Sequence, residues 1–246
     1  MDDAERPLSE RSLKMALVKY GGGIIQMAGS IAGNTYARNR YGNYVRARTK
    51  PINPNTSLQT AVRNAMGEMT TRWSTVLTGA QRTAWNLYGS SVAMKNRLGE
   101  TTYLSGFNHY LRSNANAVRL QMAPVDAGPT LFELPAKDAT IAATISEITQ
   151  NITCTFDNTM DWAIETGGLM ILFQGSPQNA QRNFFAGPWR LWTGIEGIDP
   201  GGAVTPKIAP ATFAVAEGQR VWLYARIMRA DGRISEPFTF DCVVAA

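Results

Sequence analysis

The sequence predicts an α+β chain: an N-terminal extended arm and β-hairpin, a small three-helix region, and a C-terminal antiparallel β-sandwich. Three observations carry that prediction. Gly42-Asn43 sits between two short stretches rich in Tyr and Arg. Thr-x-x-Gln capping boxes at Thr56 and Thr78 each head a run of helical period. Beyond residue 136 the pattern changes to short apolar runs separated by turn residues.

Composition frames these elements. At 246 residues and 44% hydrophobic content, the chain is long enough to bury a sizeable core. Only 17% of residues are charged, against about 25% in an ordinary domain, so part of the surface reads as made to be covered. Charge is also unevenly placed. Between Glu10 and Glu68 there is no acidic residue, yet Arg11, Lys14, Lys19, Arg38, Arg40, Arg46, Arg48, Lys50 and Arg63 fall in that interval. The whole chain is only +5, so the remainder is net acidic. A segment of one sign attracts phosphates, acidic headgroups or an acidic protein surface.

In chain order, residues 1–33 read as an N-terminal extension and glycine-rich arm. Residues 1–14 are a polar upstream extension, and Gly21, Gly22, Gly23, Gly29 and Gly33 then punctuate short β-prone pieces. Residues 34–41 and 44–50 form the hairpin about Gly42-Asn43. That turn sets Tyr41 opposite Tyr44, Arg40 opposite Val45, Asn39 opposite Arg46 and Arg38 opposite Ala47. One face then carries Arg46, Arg48 and Lys50, the other Tyr36, Arg38 and Arg40. Neither face is apolar enough for a core layer, and a lone two-stranded hairpin is marginal in water, so this one needs a partner or the following helices. Pro51 and Pro54 end it.

The first helix starts at Thr56, with an apolar stripe of Leu58, Ala61, Val62, Ala65, Met66, Met69, Trp73, Val76 and Leu77. The second starts at Thr78 and turns Ala84, Trp85, Tyr88 and Val92 inward. Glu100 opens a short β-prone piece, after which Ser105-Gly106 lead a third helix with Phe107, Tyr110, Leu111 and Val118 inward. Residues 34–122 are therefore a basic hairpin plus a helical domain. Residues 123–136, with Pro124, Gly128, Pro129 and Pro135, read as a linker. In residues 137–246, strands are expected at 140–148, 151–156, 169–174, 219–229 and 234–244, with a Gly- and Pro-rich loop over 194–212. Strands at this spacing suggest an immunoglobulin- or fibronectin III-like sandwich.

Catalytic signatures do not emerge. His109 has no Cys, Ser or carboxylate motif around it and reads as structural. Asp157, Asp161 and Glu165 read as turn formers, and Gly21 to Gly23 lack the Lys and Ser or Thr of a phosphate loop. Cys154 and Cys242 are far apart, outside any metal-ligand spacing, and read as free thiols. No enzyme activity, metal or cofactor is expected. No apolar run reaches the ~18 residues of a membrane span, and the polar N-terminus does not read as a secretory signal.

Binding is better supported. Arg38, Arg40, Arg46, Arg48 and Lys50, interleaved with Tyr41 and Tyr44, combine charge with ring faces. With no nucleic-acid fold around them, contact with an acidic protein surface is preferred over a genome. Trp189 and Trp192, beside Phe184 and Phe185 and without clear alternation, read as exposed contact residues.

The run GSIAGNTYARNRYGNYVRARTKPINPNT, then AQRTAWN, MKNRLGE, SGFNHYLRSN and YARIMRADGRISEPF, resembles an uncharacterised family encoded in tailed-bacteriophage and prophage genomes, over residues 15–238. The resemblance implies a virion component assembled in the host cytoplasm and brings no catalytic residues. It suggests a non-enzymatic structural protein, capsid-associated in a decoration, cement or minor-capsid role. The arm and hairpin would hold neighbouring virion proteins, with the chain in several copies. The alternatives are a tail or head–tail connector protein, or a DNA-binding protein packaged with or acting on the genome.

Overall fold

The computed structural model describes residues 15–24, 27–39, 42–49, 52–95 and 99–246. These residues form a mixed α+β fold with three helices and several antiparallel sheets, and contacts divide the chain into two units, Met1–Asn55 and Thr56–Ala246.

The first unit is a four-stranded antiparallel sheet. Its strands are β1 (Met15–Leu17), β2 (Gly29–Ile31), β3 (Asn34–Asn39) and β4 (Gly42–Ala47), in the order β1-β4-β3-β2. The central hairpin is the expected one, but two pieces of the expected arm pair onto its edges as β1 and β2. A bare hairpin offers unpaired N–H and C=O groups on both sides, and short strands satisfy them. The register also differs from expectation. Tyr36 lies opposite Val45 and Ala37 opposite Tyr44, while Arg38 meets Asn43 and Asn39 meets Gly42. The expected pairs Asn39–Arg46 and Arg38–Ala47 therefore do not form. Pairing runs to Asn39 and Gly42, and the expected pairs at Arg40 and Tyr41, like Lys50, lie outside the described residues. This register sets a ring against a β-branched side chain at Tyr36–Val45, and it starts β4 on Gly42 at φ 121°, where an L side chain would be strained. An even displacement leaves each described side chain on its expected face.

The second unit begins with α1 (Ser57–Thr75) and α2 (Gly79–Ser91). Both open on the expected capping boxes: Gln59 N–H donates to Thr56 Oγ1 and Gln81 N–H to Thr78 Oγ1, each at 3.3 Å, and each Gln side chain accepts from the cap backbone. The short strands β5 (Ala93–Lys95) and β6 (Thr101–Tyr103) pair before α3 (Gly106–Arg119), which is capped by Ser105. Met69, Leu77, Trp85, Tyr88, Val92 and Tyr110 make the helical core, where the Trp85 and Tyr110 rings meet edge-on at 5.6 Å.

Residues 123–136 have no regular element, as their prolines favour, but they are tied to the helices. Val125 N–H donates to Asn114 Oδ1 at 2.7 Å, and Trp85 Nε1 donates to the Asp126 carbonyl at 3.0 Å. Arg72 grips the Asp126 carboxylate at 2.6 and 2.8 Å, and Tyr110 adds its hydroxyl at 3.1 Å. The Arg72 hydrogen bond holds Asp126 below the usual carboxylate range.

Beyond this segment, β7 (Ala142–Ile145) and β8 (Asn151–Thr155) belong to a three-stranded sheet completed by β12 (Lys207–Pro210), in the order β12-β8-β7. A five-stranded sheet contains β9 (Leu169–Gly175), β10 (Gln178–Asn179), β11 (Trp189–Glu196), β13 (Gln219–Met228) and β14 (Phe238–Val243). The span 194–212, expected as a loop, thus holds the end of β11 and all of β12. β12 is an edge strand with Pro206 before it and Pro210 closing it, the place where a sheet tolerates proline, so its punctuation hid it.

Strand β9 is buried along its whole length because it is covered on both faces. On one side Met170 and Leu172 join Cys154, Phe156, Ala225 and Ile227 in a core shared by both sheets. On the other, Leu169, Ile171 and Phe173 pack with Ala117 and Leu120 at the end of α3.

Candidate interaction sites

The basic sheet is the first candidate. Arg38 is exposed on the face of Tyr36 and Val45; Arg46 is exposed on the opposite face with Tyr44, and Arg48 extends that face beyond the strand end. Arg48 N–H donates to the Gly33 carbonyl at 2.8 Å, which holds the chain against the β2–β3 turn. None of the ion pairs among the described residues involves Arg38, Arg46 or Arg48. Tyr36 and Tyr44 are half-buried, and no described side chain before Thr56 is fully buried. Leu17 and Ile31, on the edge strands, are 73% and 61% exposed. Among its described side chains the sheet therefore carries charge and rings on two faces without a core layer on either.

The two tryptophans expected as contacts are both half-buried and lie on opposite faces of β11. A bulge in β11 between Leu191 and Thr193 sends Trp192 toward the core between the sheets, where Nε1 donates to the Pro210 carbonyl at 2.8 Å. Trp192, half-buried like Trp189, thus ties β11 to β12. Trp189 stays half-buried on the other face, edge-on to Phe185 at 4.9 Å and 5.4 Å from Tyr224.

Trp189 opens onto a cleft of about 870 Å³ between the sheet and helices α1 and α3. Phe173, Phe185, Trp189 and Tyr224 supply rings, and Val62 and Met66 of α1 supply the opposite wall. Phe185 lies on Gly175, which pairs with Trp189 across the sheet, and any side chain there would strike its ring. Two guanidinium groups also line the cleft. Arg112 donates to the carbonyls of Ile234 and Ser235 at 3.0 and 2.8 Å, while Arg226 leans over the Tyr224 ring at 5.8 Å. Burial, and then the charge of Arg226, push Arg112 down to about 10. Arg226 Nε is enclosed without a hydrogen-bond partner.

Sequence reasoning missed Arg112, Arg226, Phe173 and Tyr224 as members of one site. A partial signal existed: Tyr224 and Arg226 alternate with the buried Leu223, Ala225 and Ile227, so at this end one face of β13 is visibly less apolar than the other.

The remaining chemical candidates are structural. His109 is fully buried, edge-on to Tyr88 at 5.0 Å, with neither ring nitrogen bonded; burial and then Arg112 push it down to about 4. Asp157 accepts from Thr159 N–H and Oγ1 at 2.9 and 2.6 Å, a local turn. Glu165 takes Arg229 at 2.6 and 3.0 Å, and Asp161 takes it at 2.9 Å. Cys154 and Cys242 are free thiols, both pushed up to about 12 by burial. Among the described residues no group of three or more His, Cys, Asp or Glu could hold a metal ion, and no helix is long and apolar enough to cross a membrane.

No protein-family model matches the chain, and no curated protein does. Among solved structures, part of the chain is similar to a family 76 glycoside hydrolase from a bovine Bacteroides thetaiotaomicron strain, 11% identical with a TM-score of 0.31. The match covers 45% of this chain and 20% of that one, and a likeness this slight is no guide to fold or activity.

Proposed function

We propose that the chain is a non-enzymatic structural protein of a tailed-bacteriophage particle, attached to the capsid in a decoration, cement or minor-capsid role and present in several copies. The observation that carries this reading is the basic sheet. Four paired strands with no fully buried described side chain, and with arginines on both faces outside every described ion pair, gain little from folding alone and much from a covering surface. An acidic neighbouring subunit fits that surface best, and the short edge strands offer further backbone pairing. The phage assignment itself rests on the segments 29–56, 80–86, 94–100, 105–114 and 224–238 that resemble the phage family. Two antiparallel sheets closing over one core support reading residues 137–246 as an immunoglobulin- or fibronectin III-like module, which would face outward.

A DNA-binding role is the second reading, favoured by Tyr36 and Tyr44 among the arginines. Two measurements separate these. Electron microscopy of the particle should place the chain on the capsid; density only along the tail or at the connector would overturn the capsid role. The variant Arg38→Glu, Arg46→Glu, Arg48→Glu should fold yet fail to join the particle. Duplex DNA binding that falls steeply with salt and vanishes in this variant would favour the genome instead.

A further inference from the structure

We infer that the cleft between α1, α3 and the five-stranded sheet is a docking groove for an extended segment of another protein that carries Asp or Glu beside a bulky apolar residue. The groove lies wholly within Thr56–Ala246, so the inference goes beyond the basic sheet and does not depend on it.

Three observations define the occupant. The first is the floor, where Phe173, Phe185, Trp189 and Tyr224 offer apolar ring surface. Rings gathered in an open cleft suit a large apolar side chain. The second is charge. Arg112 is held in place by two carbonyls, Arg226 lies near enough to oppose its charge, and Arg226 Nε has no partner. The acid that acts on Arg112 is Glu236, and it already pairs with Lys137 at 3.6 Å. The cleft is thus net positive, and a carboxylate entering it would meet guanidinium donors already set on a rigid frame.

The third observation separates a chain segment from a small ligand. Leu58, Val62 and Met66 of α1 are 50%, 42% and 40% exposed and follow one another at intervals of four residues. Val62 and Met66 line the cleft, and Leu58 prolongs the same ridge outward. At about 1.5 Å per residue the ridge runs on the order of 12 Å along the helix. Apolar surface of that length, continuous with a ring-lined cleft, matches several residues of polypeptide.

The test is selection from a random dodecapeptide library on the immobilised full chain. Enriched peptides should place Asp or Glu within a few residues of Phe, Trp, Tyr or Leu. Synthetic copies of them should bind at least tenfold more weakly to Met66→Glu and to Arg226→Gln, and normally to Arg38→Ser, Arg46→Ser, Arg48→Ser. Met66 is part-exposed, so Met66→Glu keeps the fold and decides the matter even if Arg226→Gln does not; a melting curve checks this. Enrichment of basic peptides, no enrichment, or acidic peptides lost only in the sheet variant would overturn the inference. So would a dimer of the chain that Met66→Glu dissociates, because a second copy would then fill the groove.

Discussion

His109 is enclosed between the Tyr88 ring and its own helix, and neither ring nitrogen finds a partner. Charging it would place a cation in a dry site beside Arg112, and for that reason its folded pKa falls to about 4. The unfolded chain binds this proton near the ordinary value of about 6.5. A base whose folded pKa is depressed stabilises the fold fully above the unfolded value, and that stability drains away as pH falls from there toward 4. At pH 5 the loss amounts to about 2 kcal/mol. His109→Phe keeps a ring against Tyr88 and removes the titration. Its urea-unfolding free energy should match or exceed that of the parent at pH 7, where the imidazole leaves two polar atoms unbonded, and should decline less between pH 7 and pH 5. Parallel pH profiles for the two proteins would show that the ring is hydrated after all.

Among the elements, the helices repay sequence reading best because their signals are local. Thr56 with Gln59 and Thr78 with Gln81 start α1 and α2 by satisfying orphan N–H groups, and nothing distant is needed to see it. Strand register is less legible. Gly42 reads as a turn residue by type, yet it begins β4, and only the cross-strand partners Tyr36 and Val45 decide where pairing falls. How helices meet is invisible locally too. The crossing of α2 with the start of α3 depends on Gly89, where a Cβ would lie 2.5 Å from the Leu104 carbonyl oxygen and 2.9 Å from Gly106 N. Gly89→Ala should therefore destabilise the chain by about 2 kcal/mol or more, since the obstruction is backbone on both counts. Gly67, exposed within α1, has nothing within 4 Å of its added Cβ. Gly67→Ala should instead stabilise by roughly 0.5–1 kcal/mol, through helix propensity and a less mobile unfolded chain. Denaturant melts of the two alanine variants should move in opposite directions.

At the scale of the whole molecule, the contrast between the two units governs behaviour. Every buried hydrophobic residue among the described ones lies in Thr56–Ala246, where four clusters form the cores, while the basic sheet of the first unit has none. The grouping of charges and rings in the basic sheet was legible because Tyr36, Arg38, Tyr44, Arg46 and Arg48 are close neighbours in the sequence. The cleft was not, since Val62, Arg112, Phe173, Trp189 and Arg226 come from separate elements and meet only once the fold exists. Local stability follows buried contacts, so the sheet should open far more often than the rest. Brief trypsin treatment of the free protein should accordingly cut first before Thr56, at exposed sites such as Lys19, Arg38 and Arg48, and leave a resistant product beginning after Arg48. Arg72, which is tied to Asp126, and Arg112, which is tied to two carbonyls, should be spared on that timescale. Mass spectrometry of the first fragments reads the outcome directly. If a partner covers the sheet, as proposed, the same sites should become protected in the assembled particle, because the surface that is costly to leave bare is the one the assembly buries. Cleavage inside Thr56–Ala246 before the sheet is cut would show that the cores do not confer the stability assigned to them, and equal cleavage of the sheet in the free and assembled forms would show that nothing covers it.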